Sequence, residues 1–376
     1  MATTVVETAT TPTPRLVLRP PVSSTGNNVS ATAAAPKFTA YMSSIRGELP
    51  PFPYADALQK GPFGDFRDDL ARDGVAVIKG AIPRDRAVGY RDAAFKWLEA
   101  WPFGFKLDDP STWNNDHLPI QQPNRYRLGM YDAYGIQHEQ FVWDIRTEPG
   151  VVNAFATLWG TEKLVSSFDG VTVMLPQNPK PKELFWPHID QSPHRVGFFV
   201  AQGLVNLNDN GPDDGGLLVM RGSSNLMTQF FEETGRPPMP PSRIDWHLFS
   251  KEDKQWFLDH GCEWTKICAD PGDLILWSSG TMHQNTPPKA DVHRVVSYVC
   301  MGPEHLQTPE DRAMRDSCWR LGEGTTHAPF HGVASAKVEP YIRDSTGSPD
   351  KEWDHRINPV VPSDRVLKLA GQLPYQ

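Results

Sequence analysis

Three residues of this chain have the types and spacing of a metal clamp: His188, then Asp190, then His283 ninety-five positions after the first. Two neutral imidazoles and one carboxylate can hold one face of a ferrous ion and leave the other positions open, whereas a fourth protein ligand would close the site. In an extended segment side chains two apart point the same way, so His188 and Asp190 can reach one ion while Ile189 turns into the wall. Arg294 stands eleven positions beyond His283. Its planar guanidinium can hold a carboxylate through two parallel hydrogen bonds, which suits the far end of a 2-oxoglutarate co-substrate.

A His-X-Asp triplet alone carries little weight, because 12 histidines and 45 acidic residues will produce one by chance. The flanking patterns supply the context. Residues 170–175 read as a strand leading toward the triplet, and 196–207 as a strand crossing a buried core. A turn and strand at 272–277 precede His283, and Arg294 opens an apolar run at 295–299. Each candidate ligand thus falls at a strand end. Upstream, 84–99 places Ala87, Tyr90, Ala94, Trp97 and Leu98 on one face at helical spacing, and 151–159 does the same with Val151, Phe155, Leu158 and Trp159 before a strand at 164–168. Helices first and strands later is the pattern of a sheet buttressed on one face.

These motifs resemble the Fe(II)/2-oxoglutarate-dependent dioxygenases and, within that superfamily, the phytanoyl-CoA dioxygenase-like family. The matching text is Pro187-His188-Ile189-Asp190, the run DGGLLVMRGSS at 214–224, and Gly272-Asp273 through His283 with Arg294 beyond. It begins near 70–80 and extends to about Met301. The resemblance implies a mainly β fold with flanking helices around a double-stranded β-helix (jelly roll, cupin-like) core at about 163–301. It implies His188, Asp190 and His283 as catalytic iron ligands, Arg294 as the residue binding the distal carboxylate of 2-oxoglutarate, and Fe(II), 2-oxoglutarate and O2 as the cofactor and co-substrates. The expected reaction is hydroxylation, desaturation or cyclisation of a small organic substrate with release of succinate and CO2. Halogenation is disfavoured, because Asp190 stands where halogenating relatives need the carboxylate replaced. Two departures bear on the substrate: Ile189 occupies a position where members often carry Gln, and the C-terminal LPYQ is no peroxisomal address. Acyl-CoA as substrate is therefore unsupported. A non-catalytic metal-binding sensor on the same fold and a zinc hydrolase are the alternative readings, the first opposed by the presence of Arg294.

Further site candidates come from individual positions. Gln202 lies mid-strand in an apolar run, where an amide must find partners: the oxo-acid, the substrate or neighbouring main chain. Trp186 is a pocket-wall candidate and His194 a substrate-side one. Asp169 reads as a turn residue. Arg125 and Tyr131 belong to an irregular, aromatic and amide-rich segment, 101–140, that suits either a substrate-facing rim or a surface crossover. The insertion at 224–265, with a capping box at Ser250 opening a short helix, suits either a lid or an outer buttress.

Composition narrows the class. The chain has 376 residues, 39% of them hydrophobic, which excludes global disorder. We read 1–36, rich in Thr, Ala, Pro and Ser, as a flexible arm with a transit peptide as its alternative, and 37–376 as one dioxygenase domain. A net charge of −8 argues against nucleic acid as a partner, and no apolar run is long enough to span a bilayer. Four cysteines without metal or redox spacing read as reduced thiols. With no secretory signal visible, a cytoplasmic protein acting on a small molecule is expected.

Overall fold

Alternating strands, punctuated by glycine turns, build two facing antiparallel sheets. The computed structural model describes residues 52–119, 129–176, 184–237, 246–336 and 356–376, all within the unit Glu48–Gln376. The expectations for the 1–36 arm and for Arg125 fall outside the described residues.

In chain order the strands are β1 (Val75–Ile78), β2 (Met130–Tyr131), β3 (Leu164–Ser166), β4 (Val171–Met174), β5 (His188–Ile189), β6 (Ala201–Asn206) and β7 (Gly216–Arg221). They continue as β8 (His247–Leu248), β9 (Glu263–Lys266), β10 (Leu274–Ser278), β11 (His283–Thr286), β12 (Arg294–Tyr298) and β13 (Met301–Pro303). The larger sheet runs β1-β10-β6-β12-β4-β2, the smaller β8-β5-β11-β7-β9, and β13 pairs with β3. From β4 to β7, and again from β10 to β12, successive strands alternate between the two large sheets. That crossing pattern is the double-stranded β-helix that the sequence leads one to expect. Val75, Leu204, Ile275, Trp277 and Val296 of the larger sheet meet Leu217 and Val219 of the smaller one in the core between them.

Helices cover the outer faces: α1 (Phe66–Asp73), α2 (Arg84–Glu99), α3 (Gln140–Arg146), α4 (Pro149–Trp159), α5 (Ser223–Thr234), α6 (Lys251–Asp259), α7 (Pro309–Leu321) and α8 (Asp364–Leu369). Helix α2 has the bounds read from its periodicity and buries Ala87, Ala94, Trp97 and Leu98. Gly203 in β6 lets α4 approach the larger sheet, since a Cβ there would stand 2.6 Å from the Val299 carbonyl oxygen and 3.2 Å from the Phe155 ring.

Two local readings are corrected. The apolar run 196–207 is strand only from Ala201, because Gly197 adopts φ +79° and turns the chain, leaving Val196 56% exposed. Strand β3 ends at Ser166 rather than at Phe168.

Helices α5 and α6 of the 224–265 insertion form an outer buttress, whereas Trp246 and Leu248 of the same insertion line the mouth of the cavity and stay half-exposed. Helices α5 and α6 pack Met227, Phe230, Phe231 and Phe257 against Ile189, Met220 and Met282 on the outer face of the smaller sheet. Ser250 and Asp253 close the expected capping box at the start of α6, with bonds of 3.0 and 2.8 Å. All four cysteines are free thiols.

Candidate active site

Strand pairing brings the metal-ligating candidates together. His188 on β5 stands directly opposite His283 on β11, and side chains opposed in an antiparallel pair share a face. Ile189 is fully buried in the buttress cluster on the outer face. Its two neighbours therefore point inward, and the Asp190 N–H bonded to the Ser279 carbonyl at 3.0 Å fixes where the segment turns.

One potential ligand atom from each of His188, Asp190 and His283 lies within 4.8 Å of the others. Asp190 Oδ1 is 3.7 Å from His188 Nε2, and Oδ2 is 3.3 Å from His283 Nε2. The tautomers are set from behind. His188 Nδ1 donates to the Trp186 carbonyl at 3.1 Å and His283 Nδ1 to the Thr281 carbonyl at 2.9 Å. A carbonyl only accepts, so each Nδ1 carries the proton and each Nε2 keeps its lone pair for a metal. Burial, helped by nearby His283, pushes His188 down to about 4, which keeps the ring neutral at pH 7. Burial acts to raise Asp190, but His188, His283 and His327 outweigh it and hold the carboxyl below its ordinary range.

Gln202 joins this set in a way the sequence did not disclose. Its Nε2 donates to Asp190 Oδ2 at 2.8 Å, so the amide orients the carboxylate of the candidate triad instead of bonding main chain. Trp186 stacks on His188 with ring centroids 4.7 Å apart and planes 15° from parallel.

Arg294, 2% exposed, opens β12 on its inward face. Among the described residues no carboxylate comes within ion-pair distance of it, and its Nη1 has no hydrogen-bond partner. Burial lowers its pKa, with the Tyr298 hydroxyl acting the other way. A second cation stands nearby: Lys266 Nζ bonds Asn210 Oδ1 at 2.6 Å and the Ile267 carbonyl at 2.8 Å, and burial pushes it down to about 8. A buried positive charge with no carboxylate at ion-pair distance among the described residues, as at Arg294, is costly, and an anionic ligand relieves the cost.

The inward faces enclose a cavity of about 970 Å³ containing the triad, Trp186, Gln202, Trp277 and Tyr298. Arg294 sits just behind this lining, in contact with Tyr298. Other candidates land elsewhere. Tyr131 packs its ring on Trp97 at 5.4 Å in the outer core, while its neighbours Met130 and Asp132 face the cavity. His194 is half-buried and its Nε2 bonds the Pro237 carbonyl at 3.0 Å, outside the cavity wall.

Sequence reasoning passed over four contributors. Asp169, read as a turn residue, lines the cavity, and so do Thr325, Thr326 and His327. The last three ride on a hairpin beyond the reach of the family resemblance. It is closed by the Thr325–Ser335 bridge and pinned where Phe168 N donates to Thr325 Oγ1 at 2.9 Å. No periodic pattern marks this hairpin. Tyr298, by contrast, was accessible from alternation, four residues after Arg294 on the same face.

No protein-family model matches the chain. It is 37% identical over 282 residues to Ava biosynthesis cluster protein O of Aspergillus versicolor, covering 74% of this chain and 90% of that protein. It is 24% identical over 270 residues to a Dictyostelium discoideum protein provisionally named a phytanoyl-CoA dioxygenase, covering 62% of this chain and 73% of that one. Among solved structures, a Salmonella typhimurium LT2 protein provisionally named an oxidoreductase superposes with a TM-score of 0.54 at 14% identity. That superposition covers 89% of this chain and 88% of the other, a likeness of fold. Triad, fold and relatives agree: the chain belongs to the family of Ava biosynthesis cluster protein O, within the non-haem iron, 2-oxoglutarate-dependent oxygenases.

Proposed function

We propose that the protein oxidises a small organic molecule of specialised metabolism, consuming 2-oxoglutarate and O2 and releasing succinate and CO2. The observation that carries this reading is the donor set: two imidazole Nε2 atoms with fixed tautomers and one oriented carboxylate, converging within 4.8 Å. That set fits Fe(II). The bound ion would supply the activation of oxygen; this chain's own residues supply position, charge and shelter.

His188, Asp190 and His283 would hold the ion from one side and leave the cavity side open for exchange. Gln202 keeps the carboxylate turned toward the ion. Arg294 would pair with the distal carboxylate of 2-oxoglutarate, and Lys266 adds positive potential at the same end. Trp186 and Trp277 flank the two histidine rings, with Trp277 5.5 Å from His283. These apolar walls keep water away from the reacting region. The similarity to a biosynthesis-cluster protein supports a metabolite rather than a macromolecule as substrate.

The test is substrate-stimulated succinate release from anaerobically loaded protein offered fractionated small-molecule extracts. Wild-type protein should respond to at least one fraction, and Asp190→Ala and His283→Ala should respond to none. Calorimetry showing wild-type Fe(II) affinity in both variants would remove the triad as the metal site.

A further inference from the structure

Two uncharged polar atoms of opposite hydrogen-bonding sign lie unpaired on opposed residues of the cavity wall. Gln202 on β6 and Trp277 on β10 are cross-strand partners in the larger sheet, so their side chains share a face, and both line the cavity that holds the triad. They are 6% and 4% exposed. Gln202 Nε2 is committed to Asp190 Oδ2, because a carboxylate only accepts. Its Oε1 is therefore an acceptor with no hydrogen-bond partner among the described residues, and Trp277 Nε1, which can only donate, has none either. Buried groups in this state are costly, and a ligand that completes both bonds removes the cost.

The signs of the two atoms make the pair selective. A carboxylate has no donor for Gln202 Oε1, an ammonium has no lone pair for the Trp277 N–H, and an ether satisfies Trp277 while leaving Gln202 unpaired. A 2-oxo acid, ionised at both ends, fails in the same way as a carboxylate. A hydroxyl, or an amide that carries an N–H, both accepts and donates. The location is set as well: Gln202 is bonded to Asp190, and the Trp277 ring lies 5.5 Å from that of His283. The cavity wall reaches solvent at Leu184, Trp246 and Leu248. These are three of the nine large apolar side chains that stay exposed among the described residues, and apolar side chains grouped at an opening mark a surface that a ligand covers.

We propose, resting on the oxygenase reading above, that the substrate presents a neutral hydroxyl or amide to the triad, held between Trp277 Nε1 and Gln202 Oε1, on an apolar body that extends to Leu184, Trp246 and Leu248. The oxygen of that group accepts from Trp277, and its O–H or N–H donates to Gln202. The carbon beside this group is the part of the substrate set next to Asp190 and His283. Gln202 and Trp277 thus determine where the molecule is oxidised, and the mouth selects for apolar bulk.

Matched probes on one scaffold read the pairing: 2-(biphenyl-4-yl)ethanol, biphenyl-4-ylacetamide and 4-(2-methoxyethyl)biphenyl, the methyl ether of the alcohol, which accepts but cannot donate. Each is titrated calorimetrically into metal-free protein and into protein loaded anaerobically with Fe(II) and 2-oxoglutarate. The alcohol and the amide should bind roughly tenfold tighter than the ether in both preparations. Gln202→Leu should abolish that preference. Trp277→Phe keeps a ring beside His283 and removes the donor that all three probes use, so it should weaken all three and leave the preference intact, a test that stands even if Gln202→Leu fails to fold. Trp246→Ala, at an exposed position, should weaken the three alike. Equal binding of alcohol and ether to metal-free protein would mean that a structural water serves the pair, and a preference confined to metal-free protein would mean that the co-substrate occupies it. Either result, wild-type binding by Trp277→Phe or Trp246→Ala, or no binding of any probe up to its solubility limit overturns the proposal. Failure of Fe(II) and 2-oxoglutarate to bind, with the preference intact in metal-free protein, would overturn the cofactor reading and leave the pairing standing.

Discussion

Gln202 donates from Nε2 to Oδ2 of Asp190 at 2.8 Å, so a strand in the middle of the larger sheet aims a carboxylate supplied by the smaller one. The two sheets are thereby tied at the site itself. The bond also fixes which way the amide faces, because only its nitrogen can meet a carboxylate.

The consequence is measurable. Partners behind metal ligands typically account for about 10–100-fold in metal affinity, so Gln202→Leu should weaken Fe(II) binding by roughly that factor while the fold persists. Gln202→Glu should be worse, because it sets a second carboxylate against Asp190. Anaerobic calorimetry decides the matter, and wild-type affinity in Gln202→Leu would mean that the Ser279 contact alone holds Asp190 in place.

Arg294 should govern the co-substrate and spare the metal. Losing one partner of a buried, charge-assisted contact costs about 2–5 kcal/mol, and about 1.4 kcal/mol is a decade. Arg294→Ala should therefore raise the 2-oxoglutarate requirement by tens- to thousands-fold with Fe(II) affinity nearly unchanged. Arg294→Lys keeps the charge without the planar fork and should fall between. Unchanged 2-oxoglutarate dependence in a folded Arg294→Ala protein would transfer the anchor to Lys266.

What the chain disclosed in advance follows from locality. That His188, Asp190 and His283 come together was legible because strand alternation and end position are properties of a few neighbouring residues. Helix α2 was legible because its stripe of Ala87, Ala94, Trp97 and Leu98 repeats at 3.6. The apolar run before β6 misled, since burial of Phe198 and Phe199 is compatible with strand or loop and the decision lay in Gly197. Gln202 and Asp169 were seen but assigned other partners, because their contacts cross between elements far apart in sequence. The hairpin carrying His327 follows the recognisable motifs and reaches the cavity only through its pairing with the Phe168 segment. Tertiary contacts of that kind leave no periodic trace.

The buttress behind the metal site should contribute stability rather than gating. Phe230 packs against Phe231, Phe249, Trp256 and Phe257 with ring centroids 4.9 to 5.6 Å away. Truncating such a ring leaves a cavity and costs about 3–5 kcal/mol, so Phe230→Ala should lower the urea midpoint strongly. Substrate binding should leave hydrogen exchange in α5 and α6 unchanged while slowing it beside Trp246 and Leu248 at the mouth. Slowing in α5 and α6 of comparable size would make these helices part of a moving lid together with the Trp246–Leu248 segment.

His138 should give the fold a defined acid sensitivity away from the candidate metal triad. It is 1% exposed and packs against Phe168, Trp319 and Trp143. Its Nε2 donates to the Glu323 carbonyl at 2.9 Å. Burial pushes its pKa down to about 3; the bond to Glu323 opposes this, and the charges of Arg146, Arg356 and Arg315 add to it. The folded state thus excludes a proton that the unfolded chain accepts below about 6.5. Above that pH neither state binds it and the group carries no penalty. As pH falls from 6.5 toward 3, stability attributable to this residue should drop by up to about 1.4 kcal/mol per pH unit. Other groups titrate in the same window, so the comparison is with His138→Phe, whose ring suits the aromatic cluster and cannot take a proton. The variant loses one hydrogen bond and should be less stable at pH 7, yet its urea midpoint should fall less between pH 7 and pH 5 than that of the wild type. Parallel pH profiles for the two proteins would show that His138 is not the residue through which acid unfolds this domain.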